Sequence, residues 1–180
     1  MSLTEKLNQI CTFVLIFKNK NLSIMEINQA APKFQDVSIA PMHTVEHILN
    51  ATMVKTFGCP RSRNAHIEKK KSKCDYELAS CPNKEQIQAI EEKVNEVIRL
   101  HLPVSIEFMS QQEAKDIVDL SKLPEDASET LRIVRIGGYD VCACIGLHVE
   151  NTSEIGTFKI ISYDYNEERK VLRMRFKLIK

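Results

Sequence analysis

"VLRMRFKLI", residues 171–179, alternates without a break. Leu172, Met174, Phe176 and Leu178 fall on one side, and Arg173, Arg175 and Lys177 on the other. Side chains of a strand point to opposite faces in turn, so this segment reads as a strand with one face in a core and one in water. A polar turn around Asn166 joins it to a second strand, "TFKIISYDY" (157–165). "LRIVRI" (131–136), ended by Gly137-Gly138, and "VSIEF" (104–108) are further strands. Asn64–Glu68 and Ser72–Leu78, on either side of a lysine turn, complete the set with imperfect alternation.

Three helices accompany these strands, one ahead of them and two among them. "NKEQIQAIEEKVNEVIRL" (83–100) repeats Ile87, Ile90, Val94, Val97 and Ile98 at helical spacing, with Asn83 as cap and Gln86 reaching back. Pro103 forbids its continuation. Ser110 and Glu113 form a capping box for a short helix to about Leu120. Pro41 and Gly58 bracket a helix over 42–57 in which Val45, Ile48, Leu49, Met53 and Phe57 make one apolar stripe, with His43, His47 and Asn50 beside it. Strands and helices mix without a βαβ rhythm. The expected class is therefore α+β: a two-layer domain with a mainly antiparallel sheet packed against helices.

The chain has 180 residues, 43% apolar and 27% charged, with a formal net charge of +1. That suits one soluble domain and excludes a global field for nucleic acid or membrane, so any basic surface is local. The apolar run near Ile10–Phe17 is too short to span a bilayer, lacks a small-residue cleavage site and follows Glu5. Six scattered cysteines (Cys11, Cys59, Cys74, Cys81, Cys142 and Cys144) point to a reducing, cytoplasmic setting with free or metal-bound thiols. Met25 is a candidate natural start. Residues 1–24 then form an N-terminal extension whose Met-Ser-Leu looks like a cloning remnant, and 25–180 form the functional domain.

Chemistry concentrates in two windows. His43-Thr-Val-Glu-His47 places two imidazoles one helical turn apart. Cys144-Ile-Gly-Leu-His148 adds a thiol and a third imidazole. Nitrogen and thiolate sulfur are zinc's preferred donors, so the two pairs supply one His₃Cys set. His43 to His47 also reads as H-x-x-E-H, a metalloprotease pattern with Glu46 as base. That reading needs a further ligand, usually a carboxylate, whereas a thiolate and an imidazole are at hand. Glu46 lies about 100° round the helix from His47. It is either a partner of a ligand or, as expected here, a solvated helix residue.

"HTVEHILNATMVKTFG" together with "LRIVRIGGYDVCACIGLHVENTSEIGTFKI" resembles the editing domain shared by alanyl- and threonyl-tRNA synthetases. It is most similar to the small free-standing alanyl-tRNA editing proteins of the AlaX type. The resemblance covers about residues 40–180. It implies a hydrolase that deacylates mischarged tRNA in trans without ATP, most suitably serine or glycine on alanine tRNA. It implies Zn²⁺ held by His43, His47, Cys144 and His148, which are also the catalytic set. By rough alignment Asn64 and His66 fall in the amino-acid pocket, and Glu154 is a candidate to hold the loop or a ligand histidine. The partner is the tRNA acceptor end, met by Lys69, Lys70 and Lys71, in a cluster with Arg61, Arg63 and Lys73, and by Arg173 and Arg175 beside Lys177. The protein is expected as a monomer or homodimer without a membrane partner. Two positions depart from the family pattern. Leu147 replaces a residue with a hydroxyl, and Cys142 stands where an acidic residue is usual, with Asp140 two residues further back. Cys142 is expected to be a core thiol. The alternative function is a non-enzymatic RNA- or synthetase-binding module with a structural zinc; a peptidase is the distant third.

Overall fold

In this computed structural model, residues 36–120 and 128–179 are described. The expectations for Ile10–Phe17, Cys11 and the 1–24 extension lie outside them. Strand β7 (Val171–Ile179) runs antiparallel between β2 (Ser72–Glu77) and β6 (Thr157–Asn166), and β1 (Asn64–His66) closes the edge in the order β1-β2-β7-β6. The alternation of β7 sets the layer beneath it. Leu172, Met174 and Phe176 are fully buried, opposite Tyr76, Cys74 and Ser72 of β2. Phe176 meets Phe158 of β6 with ring centroids 5.3 Å apart.

The antiparallel strands divide into two sheets, a split that periodicity alone does not reveal. The second sheet has the order β3-β4-β5, with β3 Val104–Ser110, β4 Thr130–Ile136 and β5 Asp140–Ala143. Strand β5 is short and carries Asp, Cys and Ala rather than a run of strand formers, so it has little signal of its own.

Helix α1 (Ala40–Phe57) begins with Pro41 in its first turn. It ends on Gly58 at φ 65°, whose N–H bonds Val54 O. Helix α2 (Lys84–Arg99) carries the expected Asn83–Gln86 capping box and buries Ile87, Ile90, Val94, Val97 and Ile98. Helix α3 (Gln111–Ala114) forms the expected Ser110–Glu113 box but is one turn long, not a helix to Leu120. Beyond Ala114 the chain tightens, Ile117 N–H bonding Ala114 O, and turns Val118 into a satellite core with Ala114, Leu131 and Ile133.

The single apolar stripe expected for α1 is corrected. Every residue from Thr44 to Met53 is buried, because α2 packs on one side of the helix and β5 on another. Its polar side chains must then find partners inside the protein. Glu46, expected in solvent, is buried: it accepts from Asn50 Nδ2, and Asn50 Oδ1 accepts from the Ser62 N–H at 3.0 Å.

Candidate metal centre

The pleat of β5 builds half of the site. Val141 and Ala143 pack on the satellite core. Side chains alternate along a strand, so Asp140, Cys142 and, just past the strand end, Cys144 turn the other way, toward α1. The Cys144 N–H bonds Arg132 O at 3.0 Å, which carries the ladder one rung further. The loop that follows is held from β4: Arg132 Nη1 donates to Cys144 O at 2.6 Å and Gly146 O at 2.8 Å. Helix α1 supplies His43 and His47 from adjacent turns.

One donor atom from each of His43, His47, Cys144 and His148 lies within 4.8 Å of all the others. His43 Nε2 is 3.4 Å from Cys144 Sγ. A tetrahedron with zinc–nitrogen bonds near 2.0–2.1 Å and zinc–sulfur near 2.3 Å has a nitrogen–sulfur edge of about 3.6 Å. The centroids of His43 and His148 are 4.3 Å apart and those of His47 and His148 4.6 Å.

Hydrogen bonds behind the rings fix which nitrogen faces inward. His43 Nδ1 is 3.2 Å from Leu147 O; a carbonyl can only accept, so Nδ1 carries the proton. Thr44 Oγ1 spends its one proton on Ala40 O at 2.8 Å. It must therefore accept from His148 Nδ1 at 3.2 Å, as it does from the Val149 N–H. His47 Nδ1 faces Asp140 Oδ2 at 3.3 Å. Each ring thus turns its Nε2 toward the centre. His148 Nε2 is buried without a partner among the described residues, an orphan that a bound metal would satisfy.

Charge follows the same geometry. Burial pushes the Cys144 thiol up, but His148, His43 and His47 outweigh it and hold it at about 2, so the sulfur is a thiolate. Burial pushes His148 down to about 4, leaving its imidazole neutral. For His47 burial opposes the charged form, but Asp140, Cys142 and Cys144 raise it well above the ordinary value. The Cys144 thiolate and the neutral His148 are already in the form that binds metal, and His47, whose anionic neighbours favour its charged form, would release a proton on binding; with that proton gone the residues present fit a zinc ion.

Other expected residues are placed elsewhere. Cys142 is half-buried, not a core thiol, with Sγ at 3.7 Å and 3.9 Å from the two ring nitrogens of His47. Asn64 and His66 are exposed on edge strand β1, bonded to Asp75 at 2.7 Å and Glu68 at 2.7 Å. Asn64 opposes Asp75, and Ala65 opposes the buried Cys74. The outward side of the sheet therefore holds Asn64 and His66, away from the core that α1 shares. Glu154 closes a capping box on the Asn151 N–H at 2.8 Å, the loop-holding role. Lys69, Lys70 and Lys71 are exposed on the β1–β2 turn. Arg173 pairs with Asp75 at 2.7 Å and Arg175 with Asp164 at 2.5 Å, so that face carries less free positive charge than its sequence implies. Arg61 leaves the basic cluster to pair with Asp140 at 2.5 Å. Sequence reasoning missed Thr44, Arg61 and Gly146 at this centre. It had Asp140 in view without a role, although the shared parity of Asp140, Cys142 and Cys144 was there to read.

An α+β domain that gathers three imidazoles and a thiolate between a buried helix and a sheet edge defines the class: a candidate metal-binding domain. Residues 131–174 match the family described as "Threonyl and Alanyl tRNA synthetase second additional domain". The chain is 31% identical to an alanine–tRNA ligase of Helicobacter pylori over 167 residues, 86% of this chain and 20% of the ligase. For the ligase of Bacillus subtilis the identity is 32% over 121 residues, covering 67% and 14%. For that of Methanococcus vannielii it is 33% over 152 residues, covering 81% and 16%. By these similarities the chain is an AlaX-like domain related to the editing domain of the alanyl- and threonyl-tRNA synthetases. It spans a fifth or less of the length of these ligases. No helix among the described residues is long and apolar enough to cross a membrane.

Proposed function

We propose that the chain is a zinc-dependent aminoacyl-tRNA deacylase, acting in trans on serine or glycine esterified to alanine tRNA. One observation carries the reading. In an AlaX-like domain related to the alanyl/threonyl-tRNA synthetase editing domain, three imidazoles and the Cys144 thiolate bring their donor atoms within 4.8 Å of one another, and His148 Nε2 is buried without a partner among the described residues. A zinc ion held by His43, His47, Cys144 and His148 supplies electrostatic stabilisation of the ester oxyanion and lowers the pKa of water. The chain's own part is to hold the donors. Leu147 O, Thr44 and Asp140 keep each ring's Nδ1 proton outside, and Arg132 fixes the loop. Lys69, Lys70 and Lys71 meet acceptor-end phosphates ahead of the ion-paired Arg173 and Arg175.

A second reading has its own support. Four protein donors fill a tetrahedron, the pattern of structural zinc, whereas catalytic zinc keeps an open position. In that case the domain binds RNA or a synthetase without hydrolysis. Deacylation of serine-charged against alanine-charged alanine tRNA separates the two, with His43→Ala as control. Release of serine alone, lost in the variant, supports the deacylase. Stoichiometric zinc with no release from either tRNA supports the binding module.

A further inference from the structure

The outer partners of His43 and His148 are neutral, a carbonyl and a hydroxyl. His47 faces a carboxylate instead, Asp140 Oδ2 at 3.3 Å. Arg61 grips that carboxylate from its other side, with Nη1 at 2.5 Å from Oδ1 and Nη2 at 3.1 Å from Oδ2. His47 and Asp140 are buried and Arg61 is half-buried. We propose that Asp140 and Arg61 are a positioning pair that locks the His47 ring with Nε2 toward Cys144 and strengthens it as a donor. Metal affinity is then set in part by two residues that touch no metal. The inference rests on the zinc reading above.

The other groups facing His47 cannot do this. Cys142 Sγ lies at 3.7 Å and 3.9 Å from the two ring nitrogens, and a cysteine sulfur is a weak hydrogen-bonding group, so it favours neither nitrogen. Glu46 Oε2 is 4.0 Å from Nε2, beyond hydrogen-bond reach. Asp140 faces Nδ1 alone at ion-pair distance. A flipped ring would present carbon to the carboxylate and lose this contact. The two-pronged Arg61 contact removes Asp140's rotational freedom, because a planar guanidinium matches a carboxylate at two points. A carboxylate behind a ligand imidazole also raises its basicity.

Zinc affinity of the full chain, measured by chelator competition, tests the pair. Wild type should bind one zinc. Asp140→Asn should bind it on the order of tenfold to a hundredfold more weakly. Because Asp140→Asn leaves Arg61 half-buried without its carboxylate, Arg61→Gln/Asp140→Asn is the companion that keeps a neutral pair, and it should show the same loss. Cys142→Ser should keep wild-type affinity and stoichiometry. In the zinc-loaded wild type, a long-range proton–nitrogen spectrum should show the His47 proton on Nδ1. Wild-type affinity in both Asp140 variants would overturn the positioning pair, as would metal on Nδ1. A loss in Cys142→Ser as large as that in Asp140→Asn would overturn it too, by making Cys142 a ligand in the alternative His47–Asp140–Cys142 group. Failure of the zinc reading looks different: no zinc on wild type, or full affinity in Cys144→Ser.

Discussion

On the zinc reading proposed above, Gly146→Ala should cost the protein its metal rather than its fold. A Cβ at Gly146 would lie 2.0 Å from His43 Cε1, 2.4 Å from Nδ1 and 3.3 Å from Nε2. To open the shortest contact from 2.0 Å to a bearable 3.0 Å, the imidazole must retreat by about 1 Å. Zinc–ligand distances tolerate about 0.2 Å, so a displacement of that size ejects His43 from the set. It also breaks the 3.2 Å bond from Nδ1 to Leu147 O that fixes the ring's tautomer. Binding of structural zinc is worth about 10–16 kcal/mol over four donors, so losing one removes roughly 2.5–4 kcal/mol. That is about a hundredfold to a thousandfold in affinity. The ring can swing out toward solvent, so the metal-free variant should unfold within about 1 kcal/mol of wild type in urea. Chelator competition reads the affinity, and the absorption spectrum of the cobalt-substituted protein reads the donor set. Ile145→Ala is the control, since Ile145 is 64% exposed. If Gly146→Ala holds zinc as tightly as wild type, with an unchanged cobalt spectrum, His43 is not a ligand and the centre has been misassigned.

Thr44→Val keeps shape but removes the acceptor used by His148 Nδ1 and the Val149 N–H. Each orphaned group costs about 1–3 kcal/mol. Urea denaturation of the metal-free protein should therefore show a loss of about 2–6 kcal/mol, and one below about 0.5 kcal/mol would contradict the network. Asp140 gives a pH signature. Burial pushes its carboxyl up, but His47 and Arg61 prevail and hold it at about 2 against an ordinary 3.8. A depressed carboxyl stabilises the fold fully above 3.8 and loses that contribution as pH falls through 2. The stability gap between wild type and Asp140→Asn, of order 2 kcal/mol at pH 5, should close by pH 2; a constant gap would refute the linkage. Reversing the charge of Lys69, Lys70 and Lys71 should weaken tRNA binding and flatten its salt dependence by up to about 3 in the log–log slope, with zinc content intact. Reversal at the ion-paired Arg173 and Arg175 should do less, and the opposite ranking would move the RNA surface to β7.

What the sequence made legible was local. Period two along β7, the two capping boxes and the Pro41–Gly58 bracket each depend on neighbours in the chain, and each is found as read. What it hid depends on partners far away in sequence. Burial of α1 on all sides follows from packing against α2 and β5, and no periodicity within the helix announces it. Arg61 reads as one more cation beside Arg63 until Asp140, 79 positions on, takes its guanidinium. Glu46 reads as a solvent residue for the same reason.

The loop from Cys144 to His148 shows which letters of a motif carry geometry. Position 145 points outward, so isoleucine is tolerated there. Position 146 lies against the His43 ring, so only a residue without Cβ fits while the ring keeps its place. Position 147 serves the site through its backbone carbonyl, which any residue provides, while its side chain packs on the core. The missing hydroxyl at Leu147 therefore removes nothing that orients a ligand. Cys142 is the deeper change: it leaves the acid of this strand face at Asp140, one pleat further from Cys144, where the carboxylate reaches the back of His47 rather than the front of the centre. An acid so placed can orient a ligand. On the deacylase reading proposed above, any proton transfer at the ester would then fall to groups other than Asp140, and the deacylation rate of Asp140→Asn should recover to wild type once zinc is supplied at saturation. A rate that stays low in zinc-saturated Asp140→Asn would put the carboxylate in the chemistry itself.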